Sequence, residues 1–277
     1  MSPGGPRASL GALRSAVSSR LPLFGRWPVT ADLVRPSLLT PVTAAPSERL
    51  LDTALRAIET ARSVNLDELT ARARAAGAGR PGERTHGRRP AGSLLARLRR
   101  ERLHSPPRHP DVWPGEHYKL LSALVALLRP RTVIELGTAT GISALTMKAA
   151  LPEDGRIFTF DVVSWREYPR AVLGEEDFAD GRLEQRLDDL STPAGWQANA
   201  ELLRRADFIL VDAIHDGVQE RNFLRGFDEV GLDAGPIVMF DDIRLWTMLS
   251  FWREIARPKL DLTSFGHWSG TGLVDYA

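Results

Sequence analysis

Cysteine is absent from this chain, and its absence removes several kinds of chemistry at once. The protein can form no disulfide, hold no metal through thiolates and use no thiol nucleophile. Its longest apolar run, Leu120 to Leu128, is too short to cross a bilayer. With 43% hydrophobic and 26% charged residues, the composition is ordinary for a soluble globular protein. Because a chain without cysteine suits a reducing compartment, we expect a cytoplasmic location.

A strong excess of one charge is also missing. The formal net charge is +1, so no global field selects nucleic acid or a membrane surface. The average hides a basic region, because only Glu83 and Glu101 oppose the many arginines between Arg72 and Arg108. Its most basic segment, residues 97–100, has no interleaved aromatic residues and matches no recognised module. A solvated helix face is the favoured interpretation, and nucleic acid is not the expected partner.

By composition, the chain divides into three parts. Residues 1–45 contain scattered prolines and no sustained period, which predicts an irregular extension; their arginine-rich, acid-poor start leaves a targeting segment open as an alternative. Residues 46–110 contain two helix patterns, starting near Ser47 and Asn65, and then a linker rich in glycine, arginine and proline. A proline-rich stretch precedes the third part, residues 111–277, which we expect to form the main domain.

Helix and strand patterns alternate along this third part. Such alternation predicts a parallel sheet with helices on both faces, and therefore a doubly wound, mostly parallel α/β architecture. Two further strand patterns near the end of the sequence are expected to form an antiparallel hairpin at one edge. The first five predicted strands cover residues 132–136, 156–161, 183–187, 206–212 and 236–241.

The most informative stretch runs from Val133 to Gly141. An apolar strand pattern contains Glu135 near its end and continues into a glycine-containing turn that opens a helix. Gly137 and Gly141 allow the backbone to turn sharply and to approach a ligand closely. The spacing is not the Gly-x-Gly-x-x-Gly of a dinucleotide fold, so a nicotinamide-dependent oxidoreductase is disfavoured. The Glu135 carboxylate suits a cationic or hydroxyl-bearing ligand better than a pyrophosphate.

Residues 135–143, Glu-Leu-Gly-Thr-Ala-Thr-Gly-Ile-Ser, resemble the motif E-[IL]-G-[TV]-x-T-G-x-S of class I S-adenosylmethionine-dependent methyltransferases. The closer resemblance is to small-molecule O-methyltransferases of the catechol and caffeoyl-CoA type and to bacterial natural-product O-methyltransferases, and it extends from about Gly115 to Ala277. It implies a Rossmann-like methyltransferase domain at residues 111–277, with a seven-stranded sheet, an N-terminal helical extension and bound S-adenosyl-L-methionine. The implied reaction transfers a methyl group to a hydroxyl of a small metabolite; a homodimer is left open.

The resemblance implies a cofactor site at the carboxyl edge of the sheet. Asp161, at the end of the second predicted strand, corresponds to the acid that accepts hydrogen bonds from the ribose; a turn aspartate is the alternative. Asp188 or Asp189 is expected near the adenine amine, and we take Asp189. Ser143 is expected at the methionine carboxylate, or else is only a helix-start serine. The complete expected set is Glu135, Gly137, Thr138, Gly141, Ser143, Asp161 and Asp189.

Three acids at the ends of two apolar strands predict a metal site. Asp212, Asp241 and Asp242 should crowd together, and close carboxylates repel one another unless a cation compensates. Oxygen ligands select Mg²⁺ or Ca²⁺. The resemblance also implies a divalent ion, Mg²⁺, that lowers the pKa of the substrate hydroxyl, although many relatives have asparagine where this chain has Asp242. Strand-end caps without metal are the alternative.

His215 offers a different route to the same reaction. It follows Asp212 by three residues, as in an Asp-x-x-His pattern of related bacterial enzymes. A histidine there can take a proton near neutral pH, so we expect His215 and Asp212 to be the catalytic residues. A metal-independent methyltransferase with His215 as general base is therefore one alternative. An RNA methyltransferase with an arginine-rich N-terminal tether and a catalytically silent binding domain are others.

Overall fold

The computed structural model describes residues 44–77 and 115–277, apart from Pro169 and Gly266. The predictions for residues 1–43 and 78–114, which include most of the irregular extension, the linker and the basic segment, lie outside the described residues. The strands are β1 (Thr132–Leu136), β2 (Arg156–Phe160), β3 (Leu183–Arg186), β4 (Phe208–Val211), β5 (Ile237–Asp241), β6 (Lys259–Asp261) and β7 (Thr271–Asp275).

These strands form one seven-stranded sheet in the order β3-β2-β1-β4-β5-β7-β6. Strands β1 to β5 are parallel, whereas β7 runs antiparallel to both of its neighbours, β5 and β6. The strand order reverses direction at β1, which has β2 on one side and β4 on the other. Ligands of such sheets bind at the carboxyl ends of the strands beside this switch point. The predicted doubly wound, mostly parallel seven-stranded sheet is confirmed.

Helices cover both faces of the sheet because its strands are apolar on both sides. Val133 and Ile157 pack in one buried cluster and Ile134 and Phe160 in the other, as expected when successive side chains point to opposite faces. No helix of the described residues is long and apolar enough to span a membrane. The helices are α1 (Glu48–Ala61), α2 (Asp67–Gly77), α3 (His117–Leu128), α4 (Ile142–Ala150), α5 (Pro193–Ala198), α6 (Ala200–Arg204), α7 (Gln219–Val230) and α8 (Leu249–Glu254).

Helix α1 packs on the same core as the sheet. Ser47 caps it by accepting a hydrogen bond from the backbone N–H of Leu50, and its apolar stripe is buried in the cluster that also contains residues of α3. The hydroxyl of Ser47 and the guanidinium of Arg49 both bind the carboxylate of Asp275 in β7. These contacts attach the N-terminal helical segment to an inner strand. The separation of residues 46–110 from residues 111–277 as domains stays a prediction.

Two helices differ from the sequence prediction for local reasons. The helix expected over residues 245–255 begins only at Leu249, because Asp242 adopts a left-handed φ of +57° and the chain then turns. In that turn, Arg244 donates its backbone N–H to the carbonyl of Ser269. The helix expected over residues 193–204 is split at Asn199, whose side-chain amide donates to the carbonyl of Gly195.

Candidate active site

The turn between β1 and α4 requires glycine at two positions. Gly137 has a φ of +104°, and a Cβ there would lie 1.8 Å from the backbone oxygen of Asp212. Gly141 has a φ of +84°, and a Cβ would lie 2.2 Å from the Leu173 side chain. Because β1 and β4 are neighbours in the sheet, this turn lies directly against the chain that leaves β4. The two glycines therefore shape the carboxyl edge where the sequence predicts the cofactor.

A cleft of about 580 Å³ opens along the carboxyl ends of β1 to β4. Four predicted site residues line it, namely Gly137, Asp161, Asp189 and Asp212. The other predicted cofactor residues, Glu135, Thr138, Gly141 and Ser143, are not among its lining residues.

Glu135 is a buried carboxylate without a hydrogen-bond partner. Its side chain is fully buried, and neither carboxylate oxygen has a hydrogen bond of good geometry among the described residues, although the hydroxyls of Ser143 and Thr159 lie close enough to stabilise its charge. Burial is the main cause that raises the pKa of Glu135 to about 8, while the nearby hydroxyls of Ser143 and Thr159 act in the opposite direction. An unsatisfied acid under a ligand-binding turn fits a ligand group that is cationic or donates hydrogen bonds.

Asp161 holds the glycine turn in place. Its Oδ2 accepts hydrogen bonds from the backbone N–H groups of Thr138 (3.1 Å) and Ala139 (3.0 Å), and its Oδ1 accepts one from Val163 (3.0 Å). These bonds use three of the roughly four acceptor sites of a carboxylate. One site on Oδ1 remains for a ligand hydroxyl, so accepting both hydroxyls of a ribose requires the loss of one backbone bond. The turn-aspartate interpretation is compatible with the ribose role.

Asp188 and Asp189 follow β3 and line the cleft, but they accept different numbers of hydrogen bonds. Asp189 Oδ1 accepts hydrogen bonds from both the backbone N–H (2.9 Å) and the hydroxyl (2.6 Å) of Ser191. Asp188 Oδ2 accepts one bond, from the side-chain amide of Asn199 at 3.2 Å. Both acids keep one carboxylate oxygen that these bonds do not use. Their geometry therefore does not separate them as partners of an adenine amine.

Histidines and aspartates converge beside the cleft, at the ends of β4 and β5. The Nε2 atom of His215 lies 3.2 Å from Asp212 Oδ1 and 3.6 Å from Asp242 Oδ2. Two further histidines approach Asp241: the distance is 3.5 Å from His117 Nδ1 and 3.6 Å from His267 Nε2. We call this group the edge cluster; its members are His117, Asp212, His215, Asp241, Asp242 and His267.

The edge cluster has an uneven distribution of charge. Burial would raise the pKa of Asp212, but the hydrogen bond from His215 and the charges of the histidines bring that pKa below its ordinary value. Burial would likewise lower the pKa of His215, but Asp212 and Asp242 raise it. Asp241 differs, because burial and the charges of Asp212 and Asp242 all raise its pKa. Burial lowers the pKa of His267 to about 4, so this ring is neutral at pH 7.

The His215 loop is held in a strained conformation. His215 has a φ of +60°, which is uncommon for a residue with a side chain. The buried carboxylate of Glu220 accepts hydrogen bonds from the backbone N–H groups of His215 (2.9 Å) and Gly217 (2.8 Å). The hydroxyl of Thr247 donates to the carbonyl of His215 at 2.6 Å. Strain that several contacts enforce is typical of functional sites.

Sequence reasoning placed Asp212, His215, Asp241 and Asp242 at this edge but missed the part played by two histidines. His117 begins α3 and His267 precedes β7, so neither follows a parallel strand. Only the antiparallel path of β7 beside β5 brings the loop of His267 to Asp241. One signal was available: histidine is rare, with six in the chain, and every histidine of the described residues belongs to the edge cluster.

The strand order and the cleft at the carboxyl ends of the parallel strands define a Rossmann-like α/β fold. The family model described as O-methyltransferase matches residues 89–247, which is more than half of the chain. The chain therefore belongs to this O-methyltransferase family. The resemblance predicted from residues 135–143 is confirmed.

Similarity to individual proteins is partial. The chain is 35% identical over 112 residues to catechol O-methyltransferase domain-containing protein 1 of Mus musculus, an alignment that covers 39% of this chain and 41% of that protein. It is 30% identical over 155 residues to caffeoyl-CoA O-methyltransferase 2 of Zea mays, covering 50% and 56%. The chain thus spans between about two-fifths and just over half of these two relatives. Among solved structures, the O-methyltransferase TomG from Streptomyces achromogenes is similar with a TM-score of 0.45 and 18% identity, covering 83% of this chain and 99% of that chain.

Proposed function

We propose that this protein is an S-adenosylmethionine-dependent O-methyltransferase that acts on a hydroxyl of a small molecule. The observation that carries the proposal is the buried, unpartnered carboxylate of Glu135 under the glycine turn of the cleft, in a chain that belongs to the O-methyltransferase family. The cofactor, when bound, supplies an electrophilic methyl group on its sulfonium. The protein must then position the acceptor hydroxyl, remove its proton and exclude water.

We assign the predicted cofactor residues to different parts of S-adenosylmethionine. We assign Glu135 to the ammonium group of the methionine part, because a buried carboxylate without partners is stabilised by a cationic donor. Ser143 lies at the start of α4, where the helix N-terminus suits the methionine carboxylate. Asp161 is assigned to the ribose through its remaining acceptor site, and Asp189, with Asp188 as its alternative, to the adenine amine. Thr138 and the two glycines shape the turn.

For the substrate, we propose that a divalent cation at Asp212, Asp241 and Asp242 assists the reaction. A bound Mg²⁺ lowers the pKa of a hydroxyl and orients its oxygen. The support lies in the donor set: the acids follow two neighbouring strands, Asp241 is buried, and its Oδ1 has no hydrogen-bond partner among the described residues. Such a carboxylate is stabilised by a cation.

The alternative, in which His215 is the general base, depends on its protonation state. Asp212 and Asp242 raise the pKa of His215 above its ordinary value, which shifts the ring toward the imidazolium, and an imidazolium cannot accept a proton. A base mechanism through His215 therefore requires pH above that raised pKa, or a ligand that breaks its pairing with Asp212. This electrostatic argument favours the metal-assisted form of the proposal.

Binding of S-adenosylhomocysteine tests the proposal without a known substrate. A ligand that binds only the folded state stabilises it by about 2.7 kcal/mol at 100 times its Kd, so thermal unfolding should shift upward. Glu135→Gln should weaken this binding, whereas Glu153→Gln, at an exposed turn position, should not. Stabilisation by nicotinamide dinucleotides, with no response to S-adenosylhomocysteine, would refute the proposed function.

A further inference from the structure

Within the edge cluster, His117, Asp241 and His267 form a tighter set, which we call the His₂Asp triad. One donor atom from each residue lies within 4.8 Å of the other two. All three side chains are buried, and they come from three separate elements: the start of α3, the end of β5 and the loop before β7. Among the described residues, this is the one group of at least three histidine or carboxylate donors with that spacing.

Two atoms of the triad point to a missing ligand. His117 Nδ1 and Asp241 Oδ1 are both buried, and neither has a hydrogen-bond partner among the described residues. They face each other across 3.5 Å, which is too long for an effective hydrogen bond. Leaving a buried imidazole nitrogen and a buried carboxylate oxygen unsatisfied costs free energy. A single cation between them would satisfy both atoms.

The surrounding charges favour a cation over a bridging water. Besides Asp241, the edge cluster contains Asp212 and Asp242, and His215 is the histidine paired with Asp212. His267 lies 3.6 Å from a carboxylate oxygen of Asp241 and 3.6 Å from one of Asp242. A neutral water molecule would leave the repulsion among the carboxylates in place, whereas a divalent ion would offset it.

The contacts of Ser269 offer a way to orient the His267 ring. The hydroxyl of Ser269 donates to Asp242 Oδ1 and lies 2.6 Å from His267 Nδ1. If Nδ1 carries the proton, it donates to this hydroxyl, and Nε2 is then free to bind a metal beside Asp241. The backbone N–H of Ser269, 3.1 Å from Nδ1, favours the other tautomer, so metal binding requires the hydroxyl to replace it as the partner of Nδ1.

We propose that the His₂Asp triad binds a divalent transition-metal ion of the Zn²⁺ or Co²⁺ type in preference to Mg²⁺. Two imidazoles and one carboxylate are the ligands that such ions favour, whereas Mg²⁺ favours sites made of oxygen. This inference rests on the proposed function, in which a divalent cation in the edge cluster assists the reaction. It concerns which cation that is. It shares Asp241 with the acid set proposed above, and the two ligand sets are alternatives: if the triad holds the ion, Asp212 and Asp242 act through their charge and not as ligands.

The test is metal titration of the full chain after its metals have been removed with a chelator. We expect one equivalent of Zn²⁺ by calorimetry, at least roughly 100-fold tighter binding than Mg²⁺, and visible Co²⁺ absorption whose intensity reports a low coordination number, unlike that of the hydrated ion. His267→Gln should weaken Zn²⁺ binding by at least tenfold, and Ser269→Ala by about 10- to 100-fold through the lost ring partner. Asp212→Asn should weaken Zn²⁺ binding less than His267→Gln does, because Asp212 lies outside the triad and acts only through its charge. The matched control is Asp233→Asn, at an exposed position outside the edge cluster, which should leave Zn²⁺ affinity within about threefold.

The opposite pattern would overturn the inference: Mg²⁺ binding as tight as Zn²⁺ binding, with the loss in Asp212→Asn and not in His267→Gln. His267 is chosen because it lies in a loop, and far-ultraviolet circular dichroism of each variant checks its folding. S-adenosylhomocysteine titration of the same samples separates the two proposals. Normal S-adenosylhomocysteine binding without selective Zn²⁺ binding rejects the metal inference alone, whereas no S-adenosylhomocysteine binding in the wild type rejects the proposed function.

Discussion

Replacing Glu135 by glutamine should stabilise the ligand-free protein in a pH-dependent way. Burial raises the pKa of Glu135 from 4.5 to about 8, so the folded protein holds this proton more tightly than the unfolded chain does. The stabilisation that this proton provides is complete below pH 4.5 and is lost as the pH rises through about 8. Glutamine has nearly the same shape as glutamate and does not ionise, so the stability of the variant should not fall in this pH range for this reason.

The magnitude follows from the size of the shift. Each pKa unit corresponds to about 1.36 kcal/mol. When the pH rises from about 5 to about 8.5, the free energy of unfolding of the wild type should therefore fall by about 4 kcal/mol relative to that of Glu135→Gln. The assay is urea unfolding of both proteins at the two pH values without ligand. Glu153→Gln controls for the loss of one carboxylate at an exposed position.

Cofactor binding should reverse the advantage of the variant. If Glu135 binds the ammonium group of the methionine part, saturating S-adenosylhomocysteine supplies the partner that the ionised carboxylate lacks. The stability difference at the higher pH should then shrink or change sign, because the ligand binds the wild type more tightly. A difference that is the same at both pH values would refute the electrostatic argument, and one that is unaffected by the ligand would refute the assigned contact.

Other predictions test the turn, the core and the chemistry. Gly137→Ala should abolish S-adenosylhomocysteine binding in calorimetry, because its Cβ would lie 1.8 Å from a backbone oxygen; Gly181→Ala, also at positive φ but with open space around it, should retain binding. Leu50→Ala should lower the free energy of unfolding by about 2–5 kcal/mol if α1 belongs to the core, whereas Leu51→Ala, at 43% exposure, should change it by less than about 0.5 kcal/mol. Once a substrate is known, a chelator should stop methyl transfer and leave S-adenosylhomocysteine affinity intact; chelator-resistant turnover that falls by about 10²- to 10⁴-fold in His215→Ala would instead support the general-base mechanism.

Local patterns were sufficient for most of the sheet. The predicted bounds of β1 agree with the structure, because Thr132 to Leu136 is a short apolar run between a proline-containing turn and a glycine turn. Helix α7 also agrees, since its buried Phe223 and Phe227 are four residues apart on one face. The acids after the parallel strands reached the expected edge for a topological reason: parallel strands end on the same side.

The features of the site that could not be predicted from the sequence depend on contacts between segments that are distant along the chain. The bonds from Asp161 to the glycine turn depend on the pairing of β1 with β2. The approach of His117 and His267 to Asp241 depends on how α3 and the chain before β7 meet β5, and no spacing in the sequence encodes that. The left-handed backbone of Asp242 and His215 was equally hidden, because aspartate and histidine, although enriched at positive φ, adopt it at only a small minority of their positions.

The antiparallel strand β7 decides which parts of the candidate active site can form without it. Among the described strands, β6 pairs only with β7, and β7 pairs with β5. Strand β6 is therefore connected to the rest of the sheet only through β7. Docking of the two strands brings His267 beside Asp241 and Asp275 within reach of α1. A chain whose β6 and β7 have not docked can have a glycine turn and a cleft but no complete edge cluster. Pairing of β7 with β5 therefore completes the sheet and the edge cluster together, whereas the glycine turn and the cleft do not depend on it.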